Sequence, residues 1–135
     1  MAARFSDAEA RVIERAAGLR ARLLELAEVE LHAYEPVLEA MRLPRDDPTR
    51  AARLSVARAQ AALSPLEIAR AGHEVAALAA ELVRSGNRNL EGDTNTGRLL
   101  AKAACRAAAR LVELDLDDDS DPRVTEARQL AEMPD

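Results

Sequence analysis

Apolar positions recur three and four residues apart along nearly the whole chain, and no stretch alternates with period two for long enough to make a strand. Val12, Ala16, Leu19, Leu23, Leu26, Glu30, Ala33 and Val37 form one such series, with Ile13, Ala17, Leu24, Ala27, Leu31, Tyr34 and Leu38 beside it. The first helix therefore carries a wide apolar face. Its start is signed by Ser6-Asp7-Ala8-Glu9, a capping box in which Ser6 and Glu9 exchange hydrogen bonds with each other's backbone. Pro36 removes an internal donor, which predicts a kink near Tyr34 before the segment ends around Arg42.

Leu43 to Thr49 is the first connection, with Asp47 expected as helix cap and Pro48 in the first turn. The second helix runs to about Leu63, where Ser64-Pro65-Leu66-Glu67 is a second capping box that either kinks it or starts a new helix. Ile68, Gly72, Val75, Ala79 and Leu82 then share a face until Gly86, expected as a left-handed C-terminal residue. Asp93 is expected to cap a last long helix that turns Leu100, Ala104, Ala107, Leu111 and Leu114 to the core. After the acidic turn Asp117 to Asp121, Pro122 opens a short helix, Arg123 to Glu132. The pattern predicts an all-α antiparallel bundle of three long, partly kinked helices plus a short C-terminal one, in a single domain spanning 1–135.

Composition sharpens this picture. Hydrophobic residues make up 48% but aromatics only 1%, so the core is built from Ala, Leu, Val and Ile, with Phe5 and Tyr34 as the rings. Such wide apolar faces on so few helices are most economically covered by a second copy, which predicts a homodimer. A net charge of −5 argues against nucleic acid or an anionic membrane as partner, and no apolar run reaches the length of a membrane span. The lone Cys105 has no internal disulfide partner, and the expected compartment is the cytoplasm.

Few residues suggest chemistry. Glu30 lies on an apolar seam, where a carboxylate must be paired, protonated or turned to a polar cavity, and there it would suit a general acid; the alternative is simple neutralisation by an Arg from another helix. His73 borders an apolar face and can shuttle protons or merely bond a carbonyl, whereas His32 lies on a polar side. The loop from Gly86 to Thr96, with Asn87, Asn89 and Asp93, gathers amides, hydroxyls and glycines at a helix N-terminus, where an anion or the edge of a heterocycle can bind. Arg98, Lys102, Arg106 and Arg110 make a basic stripe that either holds a multiply carboxylated ligand or answers acidic neighbours in solvent. No spacing of His and Cys makes a metal site, and no phosphate-binding, metalloprotease or serine-hydrolase motif is present.

From about Leu19 onward the chain resembles the cyclodeaminase/cyclohydrolase family, the helical domain at the C-terminal end of formiminotransferase-cyclodeaminase and of stand-alone bacterial proteins. The resemblance rests on Ala33-Tyr34 followed by Leu43-Pro44, on Pro65-Leu66-Glu67-Ile68-Ala69-Arg70-Ala71, and on Gly86-Asn87-Arg88-Asn89 leading to Asp93. It implies a dimeric helical fold and a tetrahydrofolate derivative as substrate. The implied reaction is loss of ammonia from 5-formiminotetrahydrofolate, or hydrolysis of the 5,10-methenyl bridge. Asp93 and Asn89 stand where the family carries its loop Asp and Asn, and Glu30 where it usually has Asp; together with the residues singled out above, Asp93, Glu30 and His73 are the expected catalytic candidates and Asn87, Asn89, Arg98 and Lys102 are expected around the substrate. Leu111 and Asp115 stand where the family has Asn, and the family's Gly-rich Pro-Gly-Gly-Gly-Ser segment has no equivalent after Met1, so part of the pocket is expected to be missing. Two readings follow, a folate enzyme or binder and a catalytically degenerate dimeric subunit.

Overall fold

Pro36 and the alanine-rich stretches divide the chain much as the spacing suggests. In the computed structural model, which describes residues 7–134, α1 spans Asp7–Ala33, α2 Glu35–Arg42, α3 Arg50–Ala61, α4 Leu63–Ser85, α5 Glu91–Leu116 and α6 Pro122–Ala131. The described residues contain no strand, so the all-α expectation holds, with α1, α4 and α5 as the long helices. No helix among them is long and apolar enough to cross a membrane. Ser6 and Phe5 lie outside the described residues, and with them the first capping box and one of the expected core rings.

Two breaks fall where proline forbids a continuous hydrogen-bond ladder. Tyr34 interrupts α1 and α2 with Pro36 in the first turn beyond it, and Ala62 separates α3 from α4 with Pro65 in the new first turn. The second break comes before Ser64, so Ser64 does not act as a cap, and its hydroxyl is free for another helix. Asp47 likewise closes a tight turn onto Thr49, accepting from its N–H at 2.8 Å, and leaves Thr49 at the helix boundary. Gly86 is extended rather than left-handed (φ −88°, ψ −173°); glycine is needed there because a Cβ would sit 2.4 Å from the Leu82 carbonyl oxygen. Asp121 is a true cap, accepting from Arg123 N–H at 2.9 Å with Pro122 next in line.

Helix α4 is the central strut. Its ion pairs with α1, Arg15 to Glu74 and Arg22 to Glu67, show the two running antiparallel, and the short turn 86–90 sends α5 back along its other side. Helices α1 and α5 therefore run in the same direction. The α4–α5 contact is close because it is made of small residues: Ala69, Gly72, Cys105 and Ala108 are buried, and a Cβ on Gly72 would lie 3.3 Å from the Ala101 carbonyl and the Cys105 nitrogen. Helix α6 seals the end of this pair through Leu66, Ala109, Val112 and Ala127.

The rotation of α5 differs from expectation. Its buried side is Ala101, Lys102, Cys105, Ala108, Ala109 and Val112, whereas Leu100 (67% exposed), Leu111 (42%) and Leu114 (55%) face outward. Alanines win the inner face because they let α4 and α5 approach more closely than leucines would. Helix α1 shows the same economy: it buries only Leu19 and Leu26, and leaves Leu24 and Leu31 more than half exposed.

Candidate functional site

The last turn of α1, the end of α3 and the last turns of α5 converge on one cavity of about 340 Å³. Glu30 and Asp115 supply its carboxylates, Tyr34 a phenol, and Ala33, Ala61, Leu111 and Leu114 its apolar walls. Buried Ser64 donates its hydroxyl to Glu30 Oε2, so among the described residues the seam carboxylate is held by a neutral donor rather than paired with an Arg, as one alternative had it. Asp115 is pushed above the usual carboxylate range, first by burial and then by the charge of Glu30, with Arg58 pulling the other way. A carboxylate pair in an apolar-walled cavity, one member holding its proton more tightly than an ordinary Asp, is suited to moving protons on a bound substrate.

The other expected site residues lie elsewhere. Asp93 is exposed in the first turn of α5, two positions inside the helix rather than at its cap. It is 22 residues (115 − 93) from Asp115 on one straight helix, and so about 33 Å from it at 1.5 Å per residue. The Asn87 side chain accepts from Asn89 N–H at 2.9 Å and starts a 3₁₀ turn, Arg88–Leu90, that leads into α5. Near this end lies a second, mainly apolar cleft of about 470 Å³ between α1, α4 and α5, where Arg20 and Thr94 are the polar members.

His73, Lys102 and Arg106 form a third group with a different occupation. His73 Nδ1 lies 3.0 Å from the Leu130 carbonyl, Lys102 Nζ donates to Pro134 O at 2.6 Å, and Arg106 donates to Met133 O at 3.2 Å. Lys102 is 3% exposed, so the basic stripe is partly roofed by the segment after α6. Arg98 bonds Asn95 at 3.2 Å, and His32 pairs with Glu35 at 2.9 Å, outside every cavity described above. A single copy thus brings Glu30 together with Asp115, Tyr34 and Ser64, and does not bring it to Asp93 or His73. Asp115 was readable only as a departure from the family pattern, although it lies one turn beyond Leu111 on the same outward side.

No group of His, Cys, Asp and Glu among the described residues is arranged to hold a metal ion. The family model described as formiminotransferase-cyclodeaminase matches residues 2–132. The chain belongs to that family. For this formiminotransferase-cyclodeaminase relative the match takes in all of α1, and so reaches well before Leu19, where the sequence resemblance was first apparent. No individual curated protein matches the chain.

Proposed function

We propose that the chain acts on a reduced-folate one-carbon derivative, closing 5-formiminotetrahydrofolate to the 5,10-methenyl compound with loss of ammonia or opening the methenyl bridge with water. The observation that carries this reading is Glu30, fixed by Ser64 at the mouth of an apolar-walled cavity in a member of this family. Both reactions pass through a carbon bonded to two folate nitrogens, and both require a side chain that takes and returns protons there. Leu111 and Leu114 offer a flat heterocycle its apolar contacts, and Tyr34 offers a polar edge.

The same reading includes a second copy of the chain. Leu100, Ala104, Ala107, Leu111 and Leu114 follow the four-three spacing of a coiled-coil seam on the outer side of α5. That series is its own complement when reversed: Leu100 falls opposite Leu111, Ala104 opposite Ala107 and Gly97 opposite Leu114. A two-fold axis between Ala104 and Ala107 covers the outward leucines. It also carries Asp93 of one copy to the level of Asp118 in the other, within about a helical turn of Asp115. Asp93 and Glu30 can then serve one site from two chains, with Asn87 and Asn89 beside Asp93. The second reading, a degenerate dimeric subunit, draws on Lys102, a substrate candidate whose ammonium donates to the Pro134 carbonyl.

The test is titration of the purified chain with 5-formimino- and 5,10-methenyltetrahydrofolate, with calorimetry for binding and the methenyl absorbance for turnover. Binding with turnover that Glu30→Gln abolishes is the expected result. Binding without turnover favours the degenerate reading, and no binding of either compound overturns the folate assignment.

A further inference from the structure

Asp115 and Glu30 enter the same cavity from different helices and are differently supported. Ser64 donates to Glu30, while Asp115 accepts no side-chain hydrogen bond among the described residues and stands against Leu111, Leu114 and Ala61. Glu30 is thereby presented as an acceptor, and Asp115 as the carboxyl group whose charged form has the least support. Resting on the folate reading above, we propose that Asp115 is a second catalytic carboxyl group, the acid that protonates the departing nitrogen while Glu30 works as the base.

The proton balance closes with these two groups. In 5-formiminotetrahydrofolate an N5–CH=NH group lies beside N10–H. As N10 bonds to the formimino carbon, its proton passes to Glu30 and from there to the imino nitrogen, leaving a tetrahedral carbon that bears NH₂. Asp115 gives its own proton to that NH₂ as the C–N bond breaks and ammonia leaves. The N5–C–N10 bridge keeps the positive charge of the methenyl product, and Asp115 takes a proton back from solvent. One proton is consumed in each turnover.

The charged groups around Asp115 bear on its pH dependence. Glu30 of α1 and Tyr34 at the α1–α2 break face it on one side, and Arg58 and Arg50 of α3 on the other. Asp117, Asp118 and Asp121 lie beyond; Asp121 is paired with Arg123, and Asp118 accepts from Ser120. Burial and the charge of Glu30 raise Asp115 against the opposing Arg58, so the acid form survives to higher pH than in an exposed Asp. Turnover should fall as pH rises through that titration.

The experiment is the pH–rate profile for ammonia loss in the wild type, Asp115→Asn, Asp115→Glu and Glu30→Gln, with melting curves alongside. The expected result is that Asp115→Asn lowers kcat by about 100-fold or more with KM little changed and abolishes the high-pH fall. Asp115→Glu should keep most of the rate with the fall displaced. A folded Asp115→Asn chain with the wild-type rate and profile overturns the proposal; if that variant does not fold, an undisplaced profile in Asp115→Glu does so. Turnover that survives Asp115→Asn and is lost in Glu30→Gln removes only the role of Asp115, whereas a wild type that turns over no folate overturns the functional reading and this one with it.

Discussion

Ser64, on the first turn of α4, donates its hydroxyl to the Glu30 carboxylate on the last turn of α1. Two helices that meet antiparallel along their length are thus also joined at the end where the candidate site lies. A hydrogen bond to a charged group contributes about 1.5–3 kcal/mol, with less expected here because Glu30 is half-buried. Ser64→Ala should therefore cost about 1 kcal/mol in urea unfolding. Its effect should be smaller when Glu30 is already Gln, with a coupling of at least ~0.5 kcal/mol. Strictly additive effects would show that the bond does not hold the helices together.

The inner and outer faces of α5 separate folding from association. Val112→Asp puts a charge into a fully buried site and should unfold the chain, at a cost of several kcal/mol. Leu111→Asp and Leu100→Asp should leave helix content intact in circular dichroism but shift sedimentation at micromolar concentration toward single chains. A wild type that sediments as a monomer under the same conditions would remove the proposed dimer.

A site shared between two copies predicts complementation. Glu30→Gln and Asp93→Asn chains, each nearly inactive alone, should regain up to about a quarter of wild-type turnover when mixed equally and allowed to exchange, since half the dimers would hold one intact site. No recovery, with exchange verified by mass-tagged chains, would place Asp93 outside the site.

Gly18 and Gly72 should respond to substitution in opposite senses. A Cβ at Gly18 meets nothing within 4 Å on an exposed helix face, so Gly18→Ala should stabilise the fold by about 0.5–1 kcal/mol through helix propensity. At Gly72 the added atoms meet the backbone of α5, and Gly72→Val should cost about 1–3 kcal/mol or more. Melting temperatures of the two variants give the comparison directly.

Asp121 is lowered to about 2 by its hydrogen bonds and ion pair with Arg123. A group whose titration is depressed on folding stabilises the fold above its unfolded value, near 3.8, and loses that contribution as pH falls toward the folded value. Asp121→Ala should thus lower the melting temperature at neutral pH, and the difference should shrink between about pH 4 and pH 2. A difference independent of pH would assign the effect to packing.

Helix content, the breaks at Tyr34 and near Ser64, and the long α1, α4 and α5 were all legible from spacing and proline chemistry. The rotation of α5 was not. Leu100, Leu111 and Leu114 are the larger apolar residues, and periodicity cannot tell a face that binds its own chain from one that is left outward. Glu30 was identified correctly as the anomaly on its seam, but Ser64 was read as a cap because its spacing to Glu67 fits that motif equally well. Lys102 was open to a ligand or to solvent on its spacing alone, because nothing in its helix shows that the segment after α6 folds back over it. Asp115 could be named but not placed in one cavity with Glu30, since the two are 85 positions apart (115 − 30) and only the tertiary fold brings them to it.

The sparse seating of α1 implies an order of opening. A helix of 27 residues that rests on its neighbours through Leu19, Leu26 and a few surface ion pairs has little to hold its amides closed, so it should be the first element to exchange hydrogen with solvent. Glu30 rides on that helix. Whenever α1 opens, the carboxylate leaves Ser64 and the cavity it shares with Asp115, so the candidate site exists only while that helix is seated.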